Sequence, residues 1–185
     1  MKKFELTTNT KMFLGKKLFQ IKALISFGDV EAGELGGYIE KEENLSQAGD
    51  AWVTDNAWVA GNAWVAGNAR VAGNAWVTDN AWVTDNARVA GNARVTDNAW
   101  VTGDAWVAGN ASYTTIKGFG REYRTTTFFR CKDGKVRVRC GCFYGDLEEF
   151  RVIVKETHGE SKKAKEYLMI ADLMELHFEE NENDK

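Results

Sequence analysis

Ten consecutive six-residue repeats constrain the fold of this chain more than any other feature. They run without an insertion from Ala51 to Asn110, in the pattern Ala–(Trp/Arg)–Val–(Thr/Ala)–(Gly/Asp)–(Asn/Asp). The first four positions alternate in the period of two that is typical of a strand with one buried face. The last two hold Gly, Asn or Asp, which tolerate the backbone of a sharp corner. Because one unit cannot bury its valine alone, the repeats predict a parallel β-solenoid.

The repeats resemble those of the hexapeptide-repeat proteins, which form left-handed parallel β-helices. In that family an aliphatic residue recurs every six positions, with a small residue two positions before it. The valines from Val53 to Val107 and the alanines from Ala51 to Ala105 match this pattern in all ten units. The resemblance implies a left-handed path, three hexads per triangular coil of 18 residues, and a little over three coils between residues 51 and 111.

The segment before the repeats predicts a different structure. Residues 1–50 are expected to form an N-terminal β cap, because an open solenoid end would expose strand edges and apolar core. Strands are predicted at residues 4–6 and 17–27. Ile39 and Leu45 lie six residues apart and predict an irregular first coil.

Residues 112–185 predict a third domain, an α+β module made of a hairpin and two helices. The hairpin strands are predicted at residues 125–131 and 136–142, around an Asp-Gly turn. Apolar residues at helical spacing follow two capping residues. The predicted N-caps are Asp146 and Ser161. The overall fold class is therefore mainly β, with this module at the C-terminal end.

The segments that flank the repeats extend the resemblance to the whole chain. They are F-G-D-V-E-A-G-E-L-G-G-Y-I-E-K-E-E-N-L-S before the repeats, and T-T-T-F-F-R and C-G-C-F-Y-G-D-L-E-E-F after them. With these segments the chain resembles a group of hexapeptide-repeat proteins of bacteriophages and prophages whose biochemical activity is unassigned. The resemblance implies an interaction role, because phage accessory proteins often bind and block a host factor such as a defence component.

All seven tryptophans occupy the outward second position of the hexads, and three arginines fill the other second positions. With 18 residues per coil, positions 18 apart lie above one another. The outward side chains are therefore predicted to form three ladders: Trp64, Trp82 and Trp100; Trp58, Trp76 and Arg94; and Trp52, Arg70, Arg88 and Trp106.

Tryptophan ladders of this size exceed the apolar patch that a monomer usually exposes, so we expect them to be covered. Four covers are consistent with the sequence. The leading one is another copy of the chain, in a dimer or trimer. The others are the chain's own C-terminal helices, a heterologous protein such as a host factor, and nucleobases or sugar rings stacked on the indoles.

Six arginines are candidates for contacts with anions or nucleic acid: Arg70, Arg88, Arg94, Arg130, Arg137 and Arg139. Arg70 and Arg88 would lie between two tryptophans and form cation–π contacts. Between residues 117 and 139 there are eight Lys or Arg against two acidic residues, which predicts a basic face on the hairpin. The alternative is that this face pairs with the acidic helices, at Glu148, Glu149, Glu156 and Glu160.

The predicted hairpin turn fixes which arginines share that face. A two-residue turn at Asp133-Gly134 pairs Arg130 with Arg137. The same register pairs Phe128 with Arg139. The residues expected to face the core are Phe129, Cys131, Val136, Val138 and Cys140.

Catalytic chemistry is poorly represented in the sequence. The resemblance to hexapeptide-repeat acyltransferases would imply a histidine in or beside the coils that acts as a general base. The two histidines here, His158 and His177, lie after the repeats. Cys131, Cys140 and Cys142 form no recognisable zinc motif and are expected to be buried apolar residues. We expect no enzyme activity, no metal and no cofactor, with acyltransferase activity as the disfavoured alternative.

The sequence thus predicts a non-enzymatic binding protein whose flat tryptophan faces mediate self-association or contact with a host protein. A single-stranded nucleic-acid or nucleotide binder that uses the basic hairpin is the alternative. No secretory signal or apolar span is present, and the net charge is −3, so we expect a cytoplasmic protein that does not bind membranes.

Overall fold

The computed structural model describes residues 1–120 and 122–179 and is mainly β. A β-solenoid of about four turns lies between an N-terminal antiparallel hairpin and a C-terminal sheet that carries two helices. Arg121 and the six residues after Glu179 lie outside the described residues. The predicted basic face of the hairpin is therefore compared with the structure at its other basic residues.

The N-terminal hairpin consists of β1 (Phe4–Phe13) and β2 (Lys16–Ala23). β1 is longer and β2 is shorter than predicted, and a turn at Leu14 and Gly15, both with positive φ, joins them directly. The strand predicted at residues 4–6 was too short, because the polar residues that follow Leu6 are typical of a loop. In the structure they form the exposed part of β1.

A third strand, β3 (Leu35–Ile39), connects the hairpin to the solenoid. It pairs antiparallel with β2 and parallel with the solenoid strand that contains Val59, so Ile39 stacks on Val59. After a 3-10 helix at Glu42–Asn44, Leu45 forms a parallel bridge with Val65. These contacts place Ile39 and Leu45 in parallel register with repeat valines, one turn before the repeats.

The ten hexads form ten two-residue strands, β4 to β13. They begin at Trp52, Trp58, Trp64, Arg70, Trp76, Trp82, Arg88, Arg94, Trp100 and Trp106, and each ends at the next valine. Every strand of the hexads pairs in parallel with the strand 18 residues away, and the solenoid therefore has three sheets. The alanines at the first position and the valines at the third position of the hexads are at most 1% exposed and form its core.

The corners between the strands are built by the last two residues of the hexads. The fifth residue, either Gly or Asp, has a positive φ in the first nine hexads. The sixth residue forms amide ladders along the solenoid axis, as where the Nδ2 of Asn62 donates to Asn80 and that of Asn80 donates to Asn98, each at 3.2 Å. The corners therefore take the backbone conformation that the turn residues predict.

After a 3-10 helix at Asn110–Ser112, four antiparallel strands form the C-terminal sheet in sequence order. They are β14 (Tyr113–Ile116), β15 (Thr126–Arg130), β16 (Val136–Cys140) and β17 (Phe143–Asp146). One face of this sheet closes the end of the solenoid, where Phe129 and Cys131 join the core of valines. The other face packs against the helices.

Those helices are α1 (Leu147–His158) and α2 (Lys162–Phe178). The Asp146 side chain accepts a hydrogen bond from the Glu149 N–H at 2.9 Å, and Ser161 caps α2, so both predicted N-caps are confirmed. The buried residues of the helices pack on Phe128 and Val138 of the sheet. The described helices are too short or too polar to cross a membrane.

The register predicted for the C-terminal hairpin was wrong by one residue. Arg130 pairs with Val136, and Phe129 pairs with Arg137. The loop is longer than the predicted two-residue turn, since the Cys131 N–H donates to the carbonyl of Lys135 at 2.9 Å. Because side chains alternate along a strand, this shift changes which side chains share a face.

Candidate functional site

The strand register places the outward side chains in the three predicted ladders. Trp64, Trp82 and Trp100 belong to one sheet. The second sheet carries Trp58, Trp76 and Arg94, and the third carries Trp52, Arg70, Arg88 and Trp106. The ladders differ in how far the rest of the chain covers them.

The N-terminal hairpin covers the second ladder. The Phe13 ring of β1 lies 5.0 Å from the rings of both Trp58 and Trp76, and Trp58 is buried against Leu18 of β2. Arg94 stacks on Trp76 at 4.2 Å. The chain therefore supplies an intramolecular cover, the N-terminal hairpin, that was not among the four predicted covers. The apolar residues Leu18, Ile21 and Ala23 of β2 are buried, and this run of apolar residues among lysines is the sequence signal that could have identified the cover.

In the third ladder, two arginines, one of them in an ion pair, separate the two tryptophans. Trp52 is fully buried beneath Phe4 and Phe27, with ring centroids 6.4 and 5.4 Å away. Arg70 forms an ion pair with Asp29 rather than the predicted cation–π contact, and burial together with the nearby Arg88 lowers the pKa of its guanidinium. The groove around these arginines contains acidic side chains as well as basic ones. The acidic residues are Asp29, Asp50 and Asp104.

Trp106, at the other end of the third ladder, is 45% exposed. It lies beside Arg88 and Lys132 at the edge of the same groove. This end of the ladder is therefore an isolated indole rather than a continuous apolar row.

The first ladder is the open one, and we call Trp64, Trp82 and Trp100 the open face. Trp64 and Trp82 are 38% and 41% exposed. Their ring centroids are 5.7 Å apart, and those of Trp82 and Trp100 are 5.2 Å apart, both edge to face. Trp100 is partly covered by the guanidinium of Arg139, which lies 3.7 Å from its ring centroid.

The C-terminal helices do not cover a tryptophan ladder. Their buried side chains belong to a separate core cluster on the far face of the C-terminal sheet. That alternative for the cover is therefore wrong for the described residues. The sequence could not decide this, because the helices' apolar faces fit a sheet of the module as well as they fit a tryptophan face.

The arginines of the hairpin do not share one basic face. Arg130 contacts α2, where its guanidinium donates to the Phe178 carbonyl and lies 5.7 Å from that ring. Arg137 pairs with Asp133 at 2.8 Å. Arg139 lies over Trp100 on the solenoid side. The predicted grouping of these three arginines was wrong because of the one-residue register shift.

The cysteines differ in their environments. Cys131 is buried, as predicted, and burial raises its pKa to about 11. Cys140 is half-buried, and Cys142 is exposed, contrary to the prediction. No group of three or more potential metal ligands occurs among residues 1–120 and 122–179.

His158 lies at the end of α1, stacked on Tyr167 at 5.9 Å. Both line a mainly apolar pocket with Phe150, and the described residues around this pocket all come from the C-terminal module. Burial raises the pKa of Tyr167 to about 12, so its hydroxyl stays protonated at neutral pH. The histidine thus lies away from the solenoid grooves where the acyltransferase alternative would require it.

A comparison with known proteins finds no matching family model and no significantly similar curated protein.

Proposed function

We propose that this chain is a non-enzymatic, cytoplasmic binding protein of the phage type, a left-handed hexapeptide-repeat solenoid that self-associates through its open face. The observation that carries the proposal is the exposure of Trp64 and Trp82 in a chain that covers Trp52 and Trp58 with its own N-terminal strands. An indole is costly to leave in water, and the described residues leave these two without a full cover.

The chemistry of the open face favours a second copy as the occupant. Its outward strand positions hold tryptophan, alanine or threonine and no charge. Its indoles repeat at 5.2–5.7 Å along the solenoid axis. A second copy carries the same repeat and the same uncharged surface at Trp64 and Trp82, away from the Arg139 that covers Trp100, so two such faces can interdigitate in a self-complementary contact around Trp82.

The size of the open face sets its role within the interface. An indole exposed to this extent leaves roughly 100 Å² accessible, so the ladder provides about a third of the roughly 800 Å² that each partner usually buries. The tryptophans would therefore form the central hot spot. The asparagine ladders at the two edges of the sheet would form the polar rim.

Sedimentation equilibrium across the micromolar range tests this proposal. We expect wild-type protein to dimerise, and Trp82→Ser to weaken association by at least about tenfold, because a central aromatic anchor contributes about 2 kcal/mol or more. Trp106→Ser is the matched control, since Trp106 is equally exposed but lies on another face. Its association constant should stay within about twofold of the wild-type value.

A monomeric wild-type protein would overturn self-association and leave a heterologous host protein as the remaining protein partner. Equal weakening by the Trp82 and Trp106 substitutions would also contradict the proposal, because it would place the contact elsewhere on the molecule. Folding of both variants is checked by their thermal midpoints.

A further inference from the structure

A cleft lies where the open face meets the C-terminal sheet. Trp100 forms its solenoid side, and Lys117, Tyr123, Arg124 and Arg139 line it from the C-terminal segment. Its volume of about 440 Å³ is within the range of sites that bind small molecules. It is separate from Trp64 and Trp82, the exposed centre of the open face.

The charge of this cleft is one-sided. Three cationic side chains line it, and none of the described lining residues is acidic. The groove at Arg70 and Arg88 differs, because its cations are balanced by aspartates. In a chain whose net charge is −3, a cleft with cations and no carboxylates favours an anionic ligand.

Arg139 is held in place before any ligand arrives. Its guanidinium lies 3.7 Å from the Trp100 ring centroid, and its Nη1 donates to the Cys142 carbonyl at 3.5 Å. Its buried Nε has no hydrogen-bond partner and cannot be reached by a ligand, so contact with a ligand falls to the terminal nitrogens. A fixed guanidinium suits phosphate oxygens, which accept hydrogen bonds from its planar fork.

Aromatic rings accompany the cations. Tyr123 is 68% exposed, and its φ of 51° lies in the left-handed region that bulky residues rarely adopt. Such strained backbone conformations cluster at functional sites. An exposed tyrosine ring beside a cationic cleft offers a stacking surface to a planar heterocycle.

We propose that this cleft binds a nucleotide, with its phosphate on Arg139, Arg124 and Lys117 and its base stacked on Tyr123. The same chemistry is present in a free mononucleotide and in one nucleotide of a single strand. This site replaces the basic hairpin face that the sequence predicted, because the register brings Arg139 to Trp100 and takes Arg130 to the helices.

Isothermal titration calorimetry with adenosine 5′-monophosphate, adenosine, inorganic phosphate and a short oligothymidylate tests the site. We expect the monophosphate to bind at least about tenfold more tightly than adenosine or phosphate alone, because only it engages both the ring and the cations. Much tighter, strongly salt-dependent binding of the oligothymidylate would identify a single strand as the source of the nucleotide.

Arg139→Met keeps the packing on Trp100 and removes the charge. It should weaken binding of adenosine 5′-monophosphate and of the oligothymidylate by at least about tenfold. Lys117→Met, at an exposed position, should weaken binding without an effect on folding. Arg88→Met, in the balanced groove, is the matched control and should bind as the wild type does.

Absence of binding by both adenosine 5′-monophosphate and the oligothymidylate at millimolar concentration, or binding that Arg139→Met leaves unchanged, would overturn the proposal. The substitutions here leave Trp82, the centre of the open face, intact, although the cleft and the open face share Trp100. Sedimentation of Arg139→Met shows whether the two properties separate.

Discussion

At the scale of single residues, the fifth position of each hexad sets the path of the solenoid. In the first nine hexads its φ lies between 55° and 69°, with Gly in five and Asp in four. Aspartate is accommodated because its carboxylate accepts backbone hydrogen bonds from the next turn. The Oδ2 of Asp55 accepts from the Gly73 N–H at 2.9 Å, and that of Asp85 accepts from the Gly103 N–H at 3.2 Å. The side chain thus offsets part of the cost of the left-handed conformation.

Glycine is required where a neighbouring backbone leaves no space. A Cβ on Gly91 would lie against the Ala108 carbonyl oxygen, far inside van der Waals contact, whereas a Cβ on Gly15 would meet nothing within 4 Å. Both residues have a positive φ. We expect Gly15→Ala to lower the free energy of unfolding by about 1 kcal/mol and Gly91→Ala by about 3 kcal/mol. Urea denaturation measures both, and equal losses would show that close approach at Gly91 is unimportant.

At the scale of elements, β15 joins two cores because its side chains alternate. Phe129 packs into the end of the solenoid core, and Phe128 packs against the helices, with its ring 6.3 Å from that of Phe150. The strand is further tied to the solenoid by the Thr127 hydroxyl, which accepts a hydrogen bond from the Trp100 N–H at 3.0 Å. The C-terminal sheet is thus both the cap of the solenoid and the platform for the helices.

Alanine substitutions at the two phenylalanines should separate these roles. Each should cost about 3–4 kcal/mol, because each removes a fully buried ring. Hydrogen exchange should show that Phe129→Ala lowers amide protection in the last turn of the solenoid, near Val107. Phe128→Ala should lower it in α1 and α2 instead. Loss of protection in the same region in both variants would contradict the two-core description.

At the scale of the whole molecule, both ends of the solenoid are closed by residues outside the repeats. Lys3 attaches the N-terminal hairpin to the solenoid. It is 2% exposed, and its Nζ donates to the carbonyls of Gly49 and Ala51, at 3.1 and 2.8 Å. Its backbone N–H donates to the Gln47 side chain at 2.8 Å. Burial lowers the pKa of Lys3 to about 8. The hairpin is therefore attached to the first turns through an amine that is costly to keep charged.

This attachment predicts a specific pH dependence. Above pH 8 the folded protein releases the Lys3 proton, whereas the unfolded chain keeps it until about pH 10.5, so the unfolded state binds more protons and stability rises with pH. Between pH 8 and 10.5 the free energy of unfolding of the wild type should rise, relative to Lys3→Met, by up to about 3 kcal/mol. Lys2→Met, which removes an exposed ammonium, is the control. A constant difference between wild type and Lys3→Met across this range would refute the linkage.

Much of the fold could be predicted from the sequence because its signals are local. The alternation and corner residues of one hexad predict a strand and a turn, and the resemblance to hexapeptide-repeat proteins supplies the 18 residues per coil that set the stacking register. For the same reason Asp146 and Ser161 were identified as N-caps: a capping hydrogen bond spans three residues.

The candidate site was less predictable because it depends on contacts between distant segments. A hairpin loop longer than two residues was enough to separate Arg130 from Arg139. The sequence likewise could not show that Phe13 covers Trp58, since the contact joins segments 45 residues apart and follows from the long β1–β2 hairpin.

The sequence, together with the 18-residue coil that its resemblance to hexapeptide-repeat proteins implies, therefore determined the three ladders of tryptophan and arginine, because a fixed period in a stacked structure decides which side chains lie above one another. Only the tertiary structure decided which ladder stays open. That depends on where the N-terminal hairpin and the C-terminal sheet pack, and packing between segments with similar apolar faces is set by long-range fit rather than by local pattern. The exposure of Trp64 and Trp82 is the result of that packing.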